Sequence, residues 1–291
     1  MGNHALVPRP EFVRELESSL YGVVEKPLSA WEKLSGNAAL RKAALLVLLA
    51  AIWQAYATAV QNPLLFPKFS DTLVAFYDGV VNDDHIILVR SWYSIKVLLQ
   101  GYAAGLLLAG LLTAFAITSR IGNDLLETLT AMFNPLPAIA LLPLALIWFG
   151  LGTGSLIFVL IHSVLWAVAL NTHSGFRSVS QTLRMVGRNY GLSGPRYVAK
   201  ILIPAAFPSI LTGLKIGWAF AWRTLIAAEL VFGVSSRSGG LGWFIYENKN
   251  QLEIPSVFAG LFSVILIGLL VENFIFRNIE LATVRKWGMQ S

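Results

Sequence analysis

Long apolar runs separated by short polar stretches organise this chain. Six of them, at about 43–60, 95–118, 128–149, 155–171, 209–233 and 257–276, come close to or reach the roughly 20 mostly apolar residues that a helix needs to cross a bilayer. They predict an all-α, polytopic membrane helix bundle of about six transmembrane helices. Ahead of the first run, Phe12, Leu16 and Leu20 recur every fourth residue among charges, which predicts an interfacial helix within a cytoplasmic N-terminal segment, residues 1–41. Residues 42–276 then form the membrane domain, and 277–291 a cytoplasmic tail. In the second run Gly101 and Gly105 stand four apart, a spacing that lets another helix backbone approach closely. The third run is interrupted by Asn134, Pro135, Pro137 and Pro143. Each proline removes a backbone donor and frees a carbonyl that lipid cannot satisfy, so this break belongs beside neighbouring protein or a watery cavity.

Between the fourth and fifth runs lies a polar loop, about 172–208, with basic residues and no acidic one. Within it Val179, Leu183, Val186 and Tyr190 recur at helical spacing, with Arg177, Gln181, Arg184 and Arg188 opposite, until Gly191 halts the pattern. Pro195 opens a second short arm, and Pro204 and Pro208 separate the loop from the fifth run. A two-faced helix on the cytoplasmic side suggests a docking element for another protein; attraction of its arginines to anionic lipid headgroups is the alternative.

Composition narrows the class. Hydrophobic residues make up 56% of the chain, charged residues 13%, and the mean hydropathy is +0.65, which excludes a soluble domain of 291 residues. Cysteine is absent, so disulfides and thiolate metal sites are excluded, and the four histidines form no ligand pattern. The net charge of +6 needs no nucleic acid to explain it. Its distribution follows the positive-inside rule with both termini in the cytoplasm. Basic residues crowd the N-terminal segment, the 172–208 loop and the tail, whereas the outer loops hold Lys68, Arg90, Arg237 and Lys249. The first apolar run begins too late for a cleavable signal peptide, so it is expected to remain as an anchor.

Few ionisable groups fall inside the spans. Arg223, near the middle of the fifth, incurs about 2.5–3.5 kcal/mol on insertion scales unless it meets a partner or a water-filled cavity. Its planar fork suits the oxygens of an anionic ligand; bonding to carbonyls or to a glutamate of another helix is the structural alternative. Trp218 and Trp222, one turn apart, are candidates for the wall of the same cavity or for packing. Glu229 lies on a different face from Arg223 and is expected to meet its own neighbour. His162 is expected to be a satisfied interior histidine. In the outer segment 235–255, glycines form a loop and Trp243, Phe244 and Tyr246 mark the membrane interface, with contact to a delivering protein or a gate as the rival.

Three blocks carry a resemblance to a known family: PLPAIALLPLALIWFGLG at 135–152, GLKIGWAFAWRTLIAAEL at 213–230 and GGLGWFIYENKN at 239–250. With them goes the order of Gly191, nine residues, Ile201, Ile203 and Pro204, which resembles the EAA loop of ATP-binding cassette (ABC) importer permeases. The chain is most similar to permeases for nitrate, sulfonates, taurine and related small anions. Where the loop motif has Glu, Ala, Ala, this chain has Met185, Val186 and Gly187, and Ile203 replaces a leucine.

The resemblance implies a type I importer permease fold in the bacterial inner membrane, a translocation path beside Asn134, Pro137, Trp218, Trp222, Arg223 and Glu229, and a coupling loop. In that loop Arg184, Val186, Gly187, Arg188, Tyr190, Gly191, Ile201 and Pro204 would face the ATPase. It also implies partners: a second permease copy forming a homodimer, two cytoplasmic ATPase subunits that bind ATP and Mg²⁺, and an external substrate-binding protein. The chain itself has no phosphate-binding loop of the G-x-x-x-x-G-K-[ST] type, hence no evident means of using ATP alone and no cofactor of its own. Two other classes compete. An ion-coupled carrier often contains repeated halves, and no internal repeat is present. A membrane enzyme acting on lipid-like substrates would need converging catalytic groups, and the span ionisable residues are isolated.

Overall fold

The computed structural model describes residues 36–82, 84–232 and 239–288. The predicted N-terminal interfacial helix therefore lies outside the described residues. The chain divides into two compact units, 1–51 and 52–291. In the first, Asn37 Oδ1 accepts from the N–H of Ala39 at 2.9 Å and so starts helix α1 (Ala38–Val60), which runs on into the second unit.

The second unit continues with α2 (Phe69–Val81), α3 (Ile86–Thr118), α4 (Arg120–Phe133), a 3₁₀ turn (Ala138–Leu141), α5 (Leu142–Phe149) and α6 (Thr153–Ser178). After it come α7 (Gln181–Asn189), α8 (Gly194–Tyr197), a π turn (Val198–Leu202), α9 (Ile203–Phe232), α10 (Leu241–Asn250) and α11 (Ile254–Leu270), extended by further helical turns to Arg285. Among the described residues, five stretches are long and apolar enough to cross a membrane, and the bent pair around residues 134–137 makes a sixth if counted as one span. This is the membrane helix bundle that the apolar runs predict.

α6 is the centre of the bundle. Leu156, Val159, Leu160, Val164 and Val168 are all buried along it. α3 reaches it through Gly101 and Gly105, where an added Cβ would stand 2.5 Å from Leu160 Cβ and 2.7 Å from Val164 Cβ. On the other side α9 approaches through Gly213 and Gly217, which face Asn171 and Val168. Small residues on both flanking helices thus let three long helices pack with backbones close together, the geometry expected of the Gly101/Gly105 spacing.

Several boundaries differ from the sequence expectation. α3 starts at Ile86 rather than near 95, because its polar first turns are satisfied internally: Ser91 Oγ donates to the Ile87 carbonyl at 2.6 Å, and Arg90 Nη1 donates to the Gly239 carbonyl at 2.9 Å. The segment before it holds α2, a helix that the apolar scan misses because it is short and amphipathic. Thr172–Ser178 continue α6, so the polar loop is shorter than 172–208. Pro204 and Pro208 do not separate it from the fifth span: residues 194–231 form one span-length helical run, whose Leu202 and Ala206 are buried against Phe176 and Val179. Nor is 277–285 a free tail, since Phe276 and Val284 sit in the core and Glu280 is tied to Lys215 at 2.6 Å. The third span begins at Arg120 and is broken where the prolines require it, with 89° between its two halves.

Candidate functional site

The break in the third span opens a cavity of about 380 Å³. Residues 134–139 line it at the break; His162, Ser163 and Trp166 of α6 and Phe220, Arg223, Thr224 and Ala227 of α9 form the rest. Ser163 Oγ and Thr224 Oγ1 lie 3.0 Å apart and bridge the two helices beneath it. Arg223 is the one ionisable acid or strong base in this lining, and it makes no hydrogen bond or ion pair to any described residue. His162 is not the satisfied histidine expected: both ring nitrogens are buried without a partner among the described residues, as is Trp166 Nε1. The two stand one helical turn apart on α6, a spacing that could have marked them as one face of a site.

Asn134, Pro137 and Arg223 are therefore brought together, but Trp218, Trp222 and Glu229 are not part of this lining. α9 has two working faces. Phe220, Arg223, Thr224 and Ala227 recur at three and four residues toward the cavity, whereas Trp218, Trp222, Leu225 and Glu229 recur likewise toward the core. Trp218 packs edge-on against Tyr102 with ring centroids 5.5 Å apart, and Trp222 Nε1 donates to the Val264 carbonyl at 3.2 Å. Trp222 and Arg223 are neighbours in sequence, yet about 100° apart around the helix, so they address different surroundings.

Glu229 is buried at the start of α10. Its Oε2 accepts from the N–H of Gly242 at 2.8 Å, and Ser94 Oγ, 2.9 Å from both carboxyl oxygens, accepts from the N–H of Leu241 at 2.9 Å. Two first-turn donors of α10 are thus satisfied by side chains of α9 and α3, where a carboxyl group also suits the positive end of a helix. The approach requires glycine: a Cβ on Gly242 would lie 2.6 Å from the Ile226 carbonyl oxygen, and one on Gly240 would collide with Ser94 and Glu229. Gly239 and Gly240 lie just outside α10 and Leu241 and Gly242 open it, so the GGLG block is the entry of that helix, set against Glu229. Phe244 is core, while Trp243 and Tyr246 stack with centroids 5.3 Å apart.

At the other end of the bundle α7 stands out from the body. Ser180 caps its start, accepting from the N–H of Leu183 at 3.3 Å. Its end is closed by a Schellman turn, in which the N–H of Leu192 donates to the Gly187 carbonyl at 3.0 Å and that of Gly191 to Arg188 at 2.9 Å. Gly191 takes φ +69°, the left-handed conformation this turn demands. Arg184 does not point outward with the other arginines: Nη2 donates to the Phe176 carbonyl at 2.6 Å and Nε to Val179 at 3.1 Å, tying α7 to the end of α6. Gly187 is buried under Tyr197 and Ile201, and Pro204 lies within the following helix. Exposed on α7 are Leu183, Met185, Val186 and Arg188 among others, and above all Tyr190 at its C-terminal cap, 82% exposed.

The family model for the binding-protein-dependent transport system inner membrane component matches residues 104–280, from the middle of α3 through the cavity, α7 and α10 to the last helix. The chain belongs to this family of ABC transporter permeases. A putative ABC transporter permease of Methanocaldococcus jannaschii is 30% identical over 244 residues, covering 83% of this chain and 90% of the relative. The nitrate import permease of Synechocystis is 29% identical, with 81% of this chain and 86% of the relative covered. A putative aliphatic sulfonates transport permease of Escherichia coli is 29% identical over 77% of this chain and 83% of its own length. The chain is thus a multi-pass membrane permease of a transport family, and its cavity and its projecting helix both lie within the matched residues.

Proposed function

We propose that this permease forms the translocation path of an ATP-driven importer for a small anion and is moved by a separate ATPase through α7. The observation that carries the anion reading is Arg223: an exposed side chain in the lining of a cavity at the break of a membrane helix, with no protein counter-charge among the described residues. An uncompensated cation at that depth is unfavourable until an anion or water meets it. The relatives named for nitrate and aliphatic sulfonates support the same choice of charge.

The mechanical part rests on α7. Its caps and the Arg184 tether make it a rigid knob fixed to the end of α6 and packed through Gly187 on the turns that lead into α9, with an exposed apolar face of Val186, Met185 and Tyr190. A partner pressing on that face would tilt the two helices that line the cavity. On this reading both termini and α7 are cytoplasmic, two permease copies enclose the path, two ATPase subunits supply ATP and Mg²⁺ chemistry, and an external binding protein delivers the substrate.

Transport by the intact complex tests the proposal. In vesicles holding the permease, its ATPase and its binding protein, Arg223→Gln should lower uptake of nitrate or alkanesulfonate about 10-fold or more, the scale of one charged hydrogen bond. Arg223→Lys should retain part of the rate, keeping charge without the fork. Full uptake by Arg223→Gln at normal complex levels would remove the anion role.

A further inference from the structure

A second cavity, of about 720 Å³, lies at the foot of α7 and shares no residue with the one at the break. Its volume is within the range of about 300–1,000 Å³ typical of ligand pockets. Two chemistries meet in its lining. Ala114, Ala116 and Ile117, in the last turns of the membrane-crossing α3, form an apolar wall that Leu202 and Ile203 extend. His173 and Arg177 of α6 and Arg184 and Arg188 of α7 supply the polar part, and no acidic residue lines the cavity.

Helical repeats gather the cations. His173 and Arg177 are four residues apart, as are Arg184 and Arg188, so each pair occupies one face of its helix. The α7 pair is held against the end of α6 because Arg184 donates from Nη2 and Nε to the carbonyls of Phe176 and Val179. Arg177 has its own counter-charge in Glu127 at 2.9 Å. Arg184 has carbonyl partners alone, and the exposed Arg188 side chain bonds to no described residue. Two guanidinium charges in one lining are thus left without an acid. Val186, on the exposed apolar face, lies about 200° round α7 from Arg184, so a protein seated on that face leaves the cavity open.

We infer that this cavity is a binding site for an anionic phospholipid, whose phosphate meets Arg184 and Arg188 while its glycerol and upper acyl carbons lie along Ala114, Ile117 and Ile203. The planar fork of arginine matches phosphate oxygens. Basic pockets between membrane helices hold such headgroups. A soluble anion would leave the apolar wall wetted, and a zwitterionic lipid brings its own cation to a site that already has an excess. Bound there, the lipid joins the ends of α3 and α6 to the projecting helix, a role independent of what the permease transports.

The test is lipid binding to the delipidated full-length permease in detergent, read by native mass spectrometry with phosphatidylglycerol, phosphatidylcholine and glycerol 3-phosphate as probes. Phosphatidylglycerol is expected to bind at least 10-fold more tightly than either of the others. Arg188→Gln should weaken it about 10-fold, the factor carried by one charge-assisted hydrogen bond. Arg188 is preferred to Arg184 because Arg184 also fastens α7. Ala114→Phe, which fills the apolar side and leaves the charge unaltered, should weaken phosphatidylglycerol as well. Arg196→Gln removes the same charge from an exposed position outside the lining and should change nothing. Equal losses in Arg188→Gln and Arg196→Gln would mean diffuse attraction without a site and overturn the inference. So would unchanged affinity in both Arg188→Gln and Ala114→Phe, or phosphatidylcholine binding as tightly as phosphatidylglycerol. Glycerol 3-phosphate binding as tightly as phosphatidylglycerol would assign the cavity to a soluble phosphate and overturn the lipid.

Discussion

Glu229 shows why a charged residue inside a membrane span need not touch what is transported. Its carboxyl group completes the first turn of α10 jointly with Ser94, and the glycines around it leave no room for any side chain there. Glu229→Ala would orphan the Gly242 N–H and free the Ser94 hydroxyl, at about 1–3 kcal/mol for each buried group left unpaired. Thermal unfolding of the purified permease should therefore fall clearly for Glu229→Ala and less for Glu229→Gln, which keeps an acceptor. Gly242→Ala should be destabilised comparably, by overpacking against the Ile226 carbonyl rather than by a lost bond. Arg223, six residues away, has no such local duty, and the contrast between the two is a matter of which face of α9 each occupies. Sequence spacing separates the faces, but it does not say which one meets protein and which one a cavity.

At the scale of elements, the packing seams and the projecting helix carry the argument. Gly105→Leu would drive a side chain into Val164 across the α3–α6 seam, and overpacking of that kind costs about 1–3 kcal/mol. Loss of monodisperse protein in detergent is the expected outcome, while Gly110, with nothing within 4 Å, should accept leucine freely. The same sequence spacing suggested the seam, and the structure adds the partner. α7 was legible as an amphipathic helix ended by Gly191, but its internal assignments were not: Arg184 and Gly187 are spent on fastening the helix, whereas Leu183, Met185, Val186, Arg188 and Tyr190 stay exposed. Gly191→Val would place a β-branched residue at φ +69°, at about 1–2 kcal/mol for the left-handed conformation alone. The stoichiometry of ATP hydrolysed per substrate moved should rise in that variant, whereas Gly191→Asn, which tolerates the conformation, should stay close to the parent. Equal stoichiometry in both would separate α7 from coupling.

On the scale of the whole molecule, the two ends of the bundle are built differently. One is cross-tied through Arg90, Glu247, Ser94, Glu229 and the entry of α10; the other carries α7 and the Arg177–Glu127 pair at 2.9 Å on the surface. Absence of native cysteine gives a direct test of which end faces the cytoplasm. A single cysteine at Tyr190 should react with an impermeant maleimide in inverted vesicles alone, and one at Asn82, just past α2, in right-side-out cells. The reverse pattern would invert the orientation on which the coupling proposal depends.

The number of apolar runs, the proline break, the glycine seam and the two-faced polar helix were determined by the sequence itself, because each is a local consequence of hydropathy, missing donors or side-chain size. Membership of α2, the helical entry at Gly240 and the continuation of the helices past 178 and 276 were decided by tertiary structure. Residues that look like loop are held helical by partners elsewhere in the chain: Arg90 bonds the Gly239 carbonyl, Glu280 pairs with Lys215, and the apolar Leu202 and Ala206 bury against Phe176 and Val179. Tertiary structure also decided the lining that His162 and Trp166 share with Arg223, since a hydrogen-bonding group reads the same in sequence whether its partner is present or missing, and only packing in three dimensions reveals which.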